Sequence, residues 1–273
     1  TAFAGRTADE TSAIADALRQ WASAGPAGAA DVADGTAGPT LTACDPGAEN
    51  VATTQDGSIA ALTVAAPLAG AACSDPPGRG VDWTGCTRER LVLTGASLQG
   101  AKLDRAVLSG MNFGSADLAG ATFLSAQFNR TSLRDANLEK TRFDKAAALR
   151  SNFSGARFGA ASLEKVEFLR TNLSGAKLAG AILQKGVFYR SNFSQADLSG
   201  ANLRYANLGR SLFAGAKLGD ADFTHAFTLY ANFSGADLAG TKGLTQEQLE
   251  VACGDAKTRL PAKLKRPASW PCA

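Results

Sequence analysis

Histidine occurs once in this chain of 273 residues, at His225, and no Cys-x-x-Cys pair is present, so no structural zinc site is expected. There is no run of 18 or more apolar residues. The most apolar segment, residues 59–73, is short and broken by glycine and proline, so nothing here is expected to span a membrane. No glycine-rich phosphate loop precedes a helix, and carboxylates are scattered singly. His225 has no obvious acid or nucleophile partner in sequence. These gaps argue against an enzyme, and nothing calls for a cofactor or a bound metal.

What is present is a strict period. From Leu93 to Leu238 a Leu or Phe returns every fifth residue through thirty positions, with Ala148 and Thr228 the exceptions. Two residues before each sits a small side chain, Ala at 20 of the 30 positions and mostly Ser or Thr elsewhere, as at Thr131, Thr141, Ser151, Thr171, Ser191 and Ser211. A period of five fits neither a helix at 3.6 nor a strand at 2. Strict short periods belong to solenoids, in which each coil buries its apolar side against the next. A second period of twenty lies inside the first: Asn112, Ser132, Asn152, Asn172, Asn192, Leu212, Asn232, and likewise Arg130, Arg150, Arg170, Arg190, Arg210, Tyr230. Four five-residue sides therefore make one coil, with like residues stacked in ladders.

Segments such as Ala196-Asp197-Leu198-Ser199-Gly200 and Ala201-Asn202-Leu203-Arg204-Tyr205 carry a resemblance to the pentapeptide-repeat family, whose pattern is Ala-(Asp/Asn)-Leu-x-x. The resemblance implies an all-β solenoid. It would be a right-handed quadrilateral β-helix, with the central Leu/Phe and the small residue two earlier facing inward. Thirty repeats at about 4.8 Å per coil predict a rod roughly 35 Å long. Its two ends would be open strand edges that need covering.

The repeats are expected to occupy residues 80–243, with residues 244–273 as a C-terminal helix cap and tail. Thr245 with Gln248 fits a capping box and Leu244 with Leu249 a hydrophobic staple, predicting a short helix with Leu249 and either Val251 or Ala252 inward. The basic tail of residues 260–273 is read as wrapping away. At the other end Trp83 falls on a central position as a plug and Cys86 on an inward small position. Arg88 is wrong for a core centre, so residues 80–92 are expected to be irregular. Residues 1–79 are rich in Ala, Gly and Pro, without the period. A capping box at residues 7–10 opens a helix over about 8–24, and residues 59–66 could form one strand. This segment would pack along the rod, dock onto a partner or stay partly disordered.

Residues 1–85 carry a net charge of −7 and residues 86–273 a net of +10, so the acidic segment could fold back on the rod or meet a different partner. Of the five cysteines, Cys86 is read as a buried free thiol. That leaves Cys44 with Cys73 and Cys253 with Cys272 as two disulfides fixing segments with little core. Disulfides imply an oxidising compartment, periplasmic or otherwise extracytoplasmic; five reduced thiols in a cytoplasmic protein is the alternative. A chain beginning at Thr1 fits a removed signal peptide or an arbitrary boundary.

Two sides of the rod read as smooth. The side centred on 113 to 233 repeats Asn-Phe-Ser-Gly, and the side centred on 118 to 238 is mostly small. The side centred on 123 to 223 carries Lys145, Lys165, Lys185, Tyr205 and His225. The side centred on 128 to 228 carries the candidate protein-binding surface: Arg130, Leu149, Arg150, Leu169, Arg170, Tyr189, Arg190, Arg210, Leu229 and Tyr230. Arg and aromatic residues together favour interface centres, although stacked Arg could also serve only to shield their own stems.

The expected function is a non-enzymatic scaffold acting by protein–protein contact, as an accessory subunit of a larger extracytoplasmic assembly. Its partners would be proteins, including those of a membrane-associated complex, with no small-molecule substrate. The resemblance supplies an alternative, since some pentapeptide-repeat proteins bind DNA gyrase and topoisomerase IV in the cytoplasm, shielding them from quinolones or imitating duplex DNA. Those imitators are acidic, whereas residues 93–240 here hold seventeen basic and eleven acidic residues. Nucleic acid is not expected on the Arg ladder, because its spacing does not match phosphate spacing along a strand.

Overall fold

Five-residue periodicity folds here into coils of twenty residues. The computed structural model describes residues 73–271. From Asp82↔Lys102 to Asp222↔Lys242, parallel bridges join residues twenty apart on all four sides. Each bridge is fed from both neighbours: Leu103 N donates to Thr122 O in the next coil, and Lys102 N to Val81 O in the previous one. This answers the need of every buried backbone group for a partner. Corners are β-turns, as where Ala101 N donates to Leu98 O at 3.1 Å, with positive φ at the third turn residue, the type II signature.

The core is one continuous column. All thirty central positions except Leu93 are buried, and Leu93, in the first coil, is half-buried. Phenylalanines stack from coil to coil: Phe193 on Phe213 at 5.0 Å and Phe213 on Phe233 at 5.1 Å. Offset ring stacking suits the coil rise and adds to area burial. Ala148 and Thr228 also face inward, at 1% exposure each, while Leu149 stays outside at 42%. The pairing runs through Ala148 in register, as strands β1 (Ala147–Leu149) and β2 (Glu167–Leu169), so no bulge or slip takes up the missing side chain. Instead the surrounding rings close the space, with Phe153 stacked on Phe168 at 5.1 Å and Phe143 edge-on to Phe168 at 6.2 Å. Thr228 is small and polar for a different reason: its hydroxyl donates to Gln248 O at 2.7 Å, where the coil meets a helix.

That helix, α1 (Gln246–Glu250), has both capping-box hydrogen bonds of Thr245 and Gln248. The Gln248 side chain also donates to Phe223 O and Ala226 O, tying α1 to the rod. Leu249 and Ala252 turn inward, whereas Val251 is exposed. Beyond α1 the chain takes the place of the next coil, with Phe233 N donating to Cys253 O and Leu238 N to Arg259 O. The tail does not wrap away. Trp270 returns over Gly254, where any side chain would collide with its ring, and its indole donates to Ala252 O at 2.9 Å.

The first coil is more regular than its sequence suggests, because Asp82, Thr87 and Val92 all pair in register. Trp83 is fully buried, and Arg88 lays its guanidinium over that ring at 4.4 Å while donating to Asp75 O. A cationic centre is tolerated here because it covers the end of the column, not its middle. Cys86 is buried but not free: it is bonded to Cys73, with Cα atoms 5.5 Å apart, which rules out the Cys44–Cys73 pair. The inward position of Cys86 lies beside the incoming segment, so the disulfide ties residue 73 to the first coil. Cys253 is also disulfide-bonded, to a partner outside the described residues. Cys44, Cys272, the helix over 8–24 and the strand over 59–66 lie outside the described residues as well.

Candidate functional site

The candidate site is the side centred on 128 to 228, and its limits are set by corners. Its Arg corner holds Arg130, Arg150, Arg170, Arg190, Arg210 and Tyr230, with φ between 53° and 59°. The opposite corner holds Lys145, Lys165, Lys185, Tyr205 and His225, also at positive φ. The sequence reading gave the Lys column to the neighbouring side. Folding places it on the edge that both sides share, so cations bound this one side on both edges.

Left-handed backbone costs a residue with a Cβ about 1–2 kcal/mol. On the smooth sides glycine shares such corners, as at Gly155, Gly175, Gly180, Gly200 and Gly235, with Ser115, Asp135, Lys140, Ala160, Gln195 and Asp220. On the decorated side Arg, Lys, Tyr and His take every such corner from Arg130 to Tyr230, in spite of the cost.

Between the columns runs an apolar strip. Leu149 and Phe227 are exposed, and Leu169, Val187, Tyr189 and Leu229 are half-buried. None of Arg130, Arg150, Arg170, Arg190 or Arg210 forms an ion pair among the described residues. Two of them face rings, Arg190 over Tyr189 and Arg210 over Tyr230, each at 5.4 Å. Lys165 pairs with Glu164 at 3.2 Å. Away from this side, by contrast, carboxylates are matched locally. The Ser199 hydroxyl and N–H beside Asp197 hold its carboxyl below the usual range, as Thr84 does for Asp82.

Two features escaped sequence reading. Gly209 is buried because the rings of Tyr189 and Phe227 close over it; a Cβ there would lie 3.2 Å from Tyr189 and 3.5 Å from Phe227. Tyr189 and Phe227 thus flank Gly209 at the C-terminal end of the strip. Secondly, the small inward residues just after the Arg corner form a buried hydroxyl column. Thr171 Oγ1 donates to Ala148 O at 3.2 Å, Ser191 Oγ to Phe168 O at 2.7 Å and Ser211 Oγ to Phe188 O, each acceptor being the central residue of the side in the preceding coil. Thr131 and Ser151 do the same toward Leu108 O and Phe128 O. This column satisfies buried carbonyls and fixes the backbone behind each arginine. The alternation of Ser and Thr with Ala was visible in sequence; which carbonyl each hydroxyl meets was not.

The profile of a family described as pentapeptide repeats matches in eight copies, over residues 79–110, 112–146, 151–188, 191–227 and 216–242, more than half of the chain. The chain belongs to this family. No curated protein sequence matches it. Among solved structures, this pentapeptide-repeat chain is similar to HetL, a protein involved in heterocyst differentiation regulation from the cyanobacterium Nostoc sp. strain PCC 7120. The two are 24% identical over 64% of this chain and 90% of HetL, with a TM-score of 0.37. A pentapeptide repeat protein of the Arabidopsis thaliana thylakoid lumen is 25% identical over 48% of this chain and 82% of its own, at a TM-score of 0.28. QnrB1, a plasmid-mediated fluoroquinolone resistance protein, is 18% identical over 68% of this chain and 92% of its own, at 0.31.

Proposed function

We propose that this pentapeptide-repeat chain is a non-enzymatic interaction rod that binds a protein partner through the side bounded by the Arg and Lys columns. One observation carries the reading: five arginines, held at positive-φ corners, have no carboxylate partner among the described residues and flank a strip of exposed Leu149 and Phe227 and half-buried Leu169 and Tyr189. Unpaired like charges stacked at about 4.8 Å repel one another. An anionic, partly apolar partner surface would relieve that repulsion and cover the strip. Arg and aromatic residues at the middle of such a footprint carry most of its energy. The cationic columns also run against an acidic imitation of DNA.

The rod is assigned an accessory role in a larger extracytoplasmic assembly. The Cys73–Cys86 disulfide and the bonded Cys253 support an oxidising compartment. Segment 244–271, with α1 on the last coil, is assigned the role of covering the open edge.

The test is recovery of the native partner from the source under mild conditions, with the parent protein and with Leu169→Ala/Arg170→Ala/Tyr189→Ala. The triple variant is expected to bind about thirty-fold or more weakly, since truncation of central residues often costs about 2 kcal/mol or more. Ser174→Ala/Ser194→Ala, on a smooth side, is expected to bind as the parent does. Equal loss from both sets would refute the assignment.

A further inference from the structure

The geometry points to the partner's shape: an acidic amphipathic α-helix lying along the rod axis, its apolar stripe on Leu149, Leu169 and Tyr189 and its carboxylates facing the arginine column. This inference rests on the protein-contact reading and specifies its ligand.

Charge comes first. The corner arginines lack ion pairs among the described residues, and Lys145 and Lys185 on the far edge are likewise unpaired. A complementary partner must therefore carry negative charge on both flanks of an apolar centre. Glu167, exposed in the outward row next to the Lys corner, would repel such a partner locally. The tighter contact accordingly falls on the Arg edge, where Leu169 and Tyr189 lie.

Spacing then selects the secondary structure. Bridges join successive coils throughout, so each column repeats at about 4.8 Å. A helix laid along the axis returns a side chain to one face every turn, about 5.4 Å, and drifts by only about 0.6 Å per coil. Over the four steps from Arg130 to Arg210 the drift is about 2.4 Å, which arginine side chains absorb by changing rotamer. An extended strand repeats each face about every 6.8 Å, drifts about 2 Å per coil and slips a whole coil within three steps. Width agrees too: about three extended residues separate the two corners, roughly 10 Å, against about 10–12 Å for a helix with its side chains. A face of four steps, about 19 Å, takes roughly thirteen helical residues.

The experiment uses the full chain and three probes. One is a capped sixteen-residue peptide (~24 Å if helical) with apolar residues at helical spacing and glutamates on both flanks. The second has the same composition rearranged to period two, and the third is a vesicle containing phosphatidylserine. The helical-period peptide is expected to bind at least ten-fold tighter than the rearranged one and to gain helical circular dichroism on binding. Arg150→Glu/Arg170→Glu/Arg190→Glu should weaken it at least ten-fold, and Glu167→Gln should strengthen it about two-fold. Equal binding of both peptides, or binding of neither, overturns the helix inference. Vesicle binding that ignores both peptides overturns it in favour of a membrane surface. Partner recovery with the Leu169/Arg170/Tyr189 variant separates the two levels. If that variant loses the native partner while the helical peptide fails, the partner's shape is wrong and the contact side stands; if it keeps the partner, the contact side itself is wrong.

Discussion

Replacing corner arginines by glycine should stabilise the rod while disabling it. At Arg150, Arg170 and Arg190 the backbone sits at φ 55°, 53° and 59°. Relief of left-handed strain is worth about 1–2 kcal/mol at each position. Glycine gives back about 0.5–1 kcal/mol through the greater freedom of the unfolded chain. The net gain per site is thus about zero to 1.5 kcal/mol. Removing stacked charges adds to it: two unit charges about 4.8 Å apart repel by about 0.9 kcal/mol in bulk water, less after salt screening. Arg150→Gly/Arg170→Gly/Arg190→Gly should therefore unfold in urea at the same concentration as the parent or a higher one, with an unchanged slope. The same variant should lose about thirty-fold or more in partner affinity. Gly175→Ala is the control. Its φ is 65° and nothing would crowd the added Cβ, so it should lose about 1 kcal/mol through conformation alone. A glycine triple variant destabilised by more than about 1 kcal/mol would show that the arginines hold the fold together, and the case for a binding column would fail.

Leu203 is fully buried, and Leu203→Ala should cost about 2–5 kcal/mol in equilibrium unfolding; a cost under about 1 kcal/mol would contradict its place in the column. Ser191→Ala removes the donor to Phe168 O and should cost about 1 kcal/mol, more than the half-buried Ser194→Ala control tested in the same way. Asp82 and Asp197 have carboxyls held below their ordinary value of 3.8, so the folded state binds fewer protons than the unfolded chain in acid. Their contribution is present above that value and lost as pH falls through the lowered ones. Thermal midpoints should therefore fall on acidification, less steeply in Asp197→Asn, and an identical pH profile in that variant would contradict the shift. Peptide mass mapping without reduction should recover Cys73 linked to Cys86, and alkylation of Cys86 in the folded protein would exclude that bond.

The solenoid was legible because its interactions are nearest-neighbour. Each coil meets only the coils before and after it, so a residue's environment depends on its position modulo twenty. Leu203, Phe153 and even Ala148 and Thr228 could be placed inward from the period alone, and all four are buried. The Thr245–Gln248 capping box was equally local. The Arg ladder was visible as a column for the same reason.

What the period left open was decided between elements that it does not relate. Cys86 was correctly placed inward, yet its bond to Cys73 depends on where a non-repeating segment enters the first coil. Trp270 returns over Gly254 because the tail finds an uncovered edge there, which no spacing announces. The five-residue unit assigns each corner to the side it ends. In three dimensions a corner belongs equally to the side that follows, and this is why the Lys and Arg columns bound the same apolar strip. Sequence thus determined the coil, its register and its inward residues, since those follow from a local repeat that must bury one face. Tertiary structure alone decided the cysteine pairing, the closing of Tyr189 and Phe227 over Gly209 and the two-edged cationic face, since each depends on contacts across coils or ends where the repeat gives no constraint.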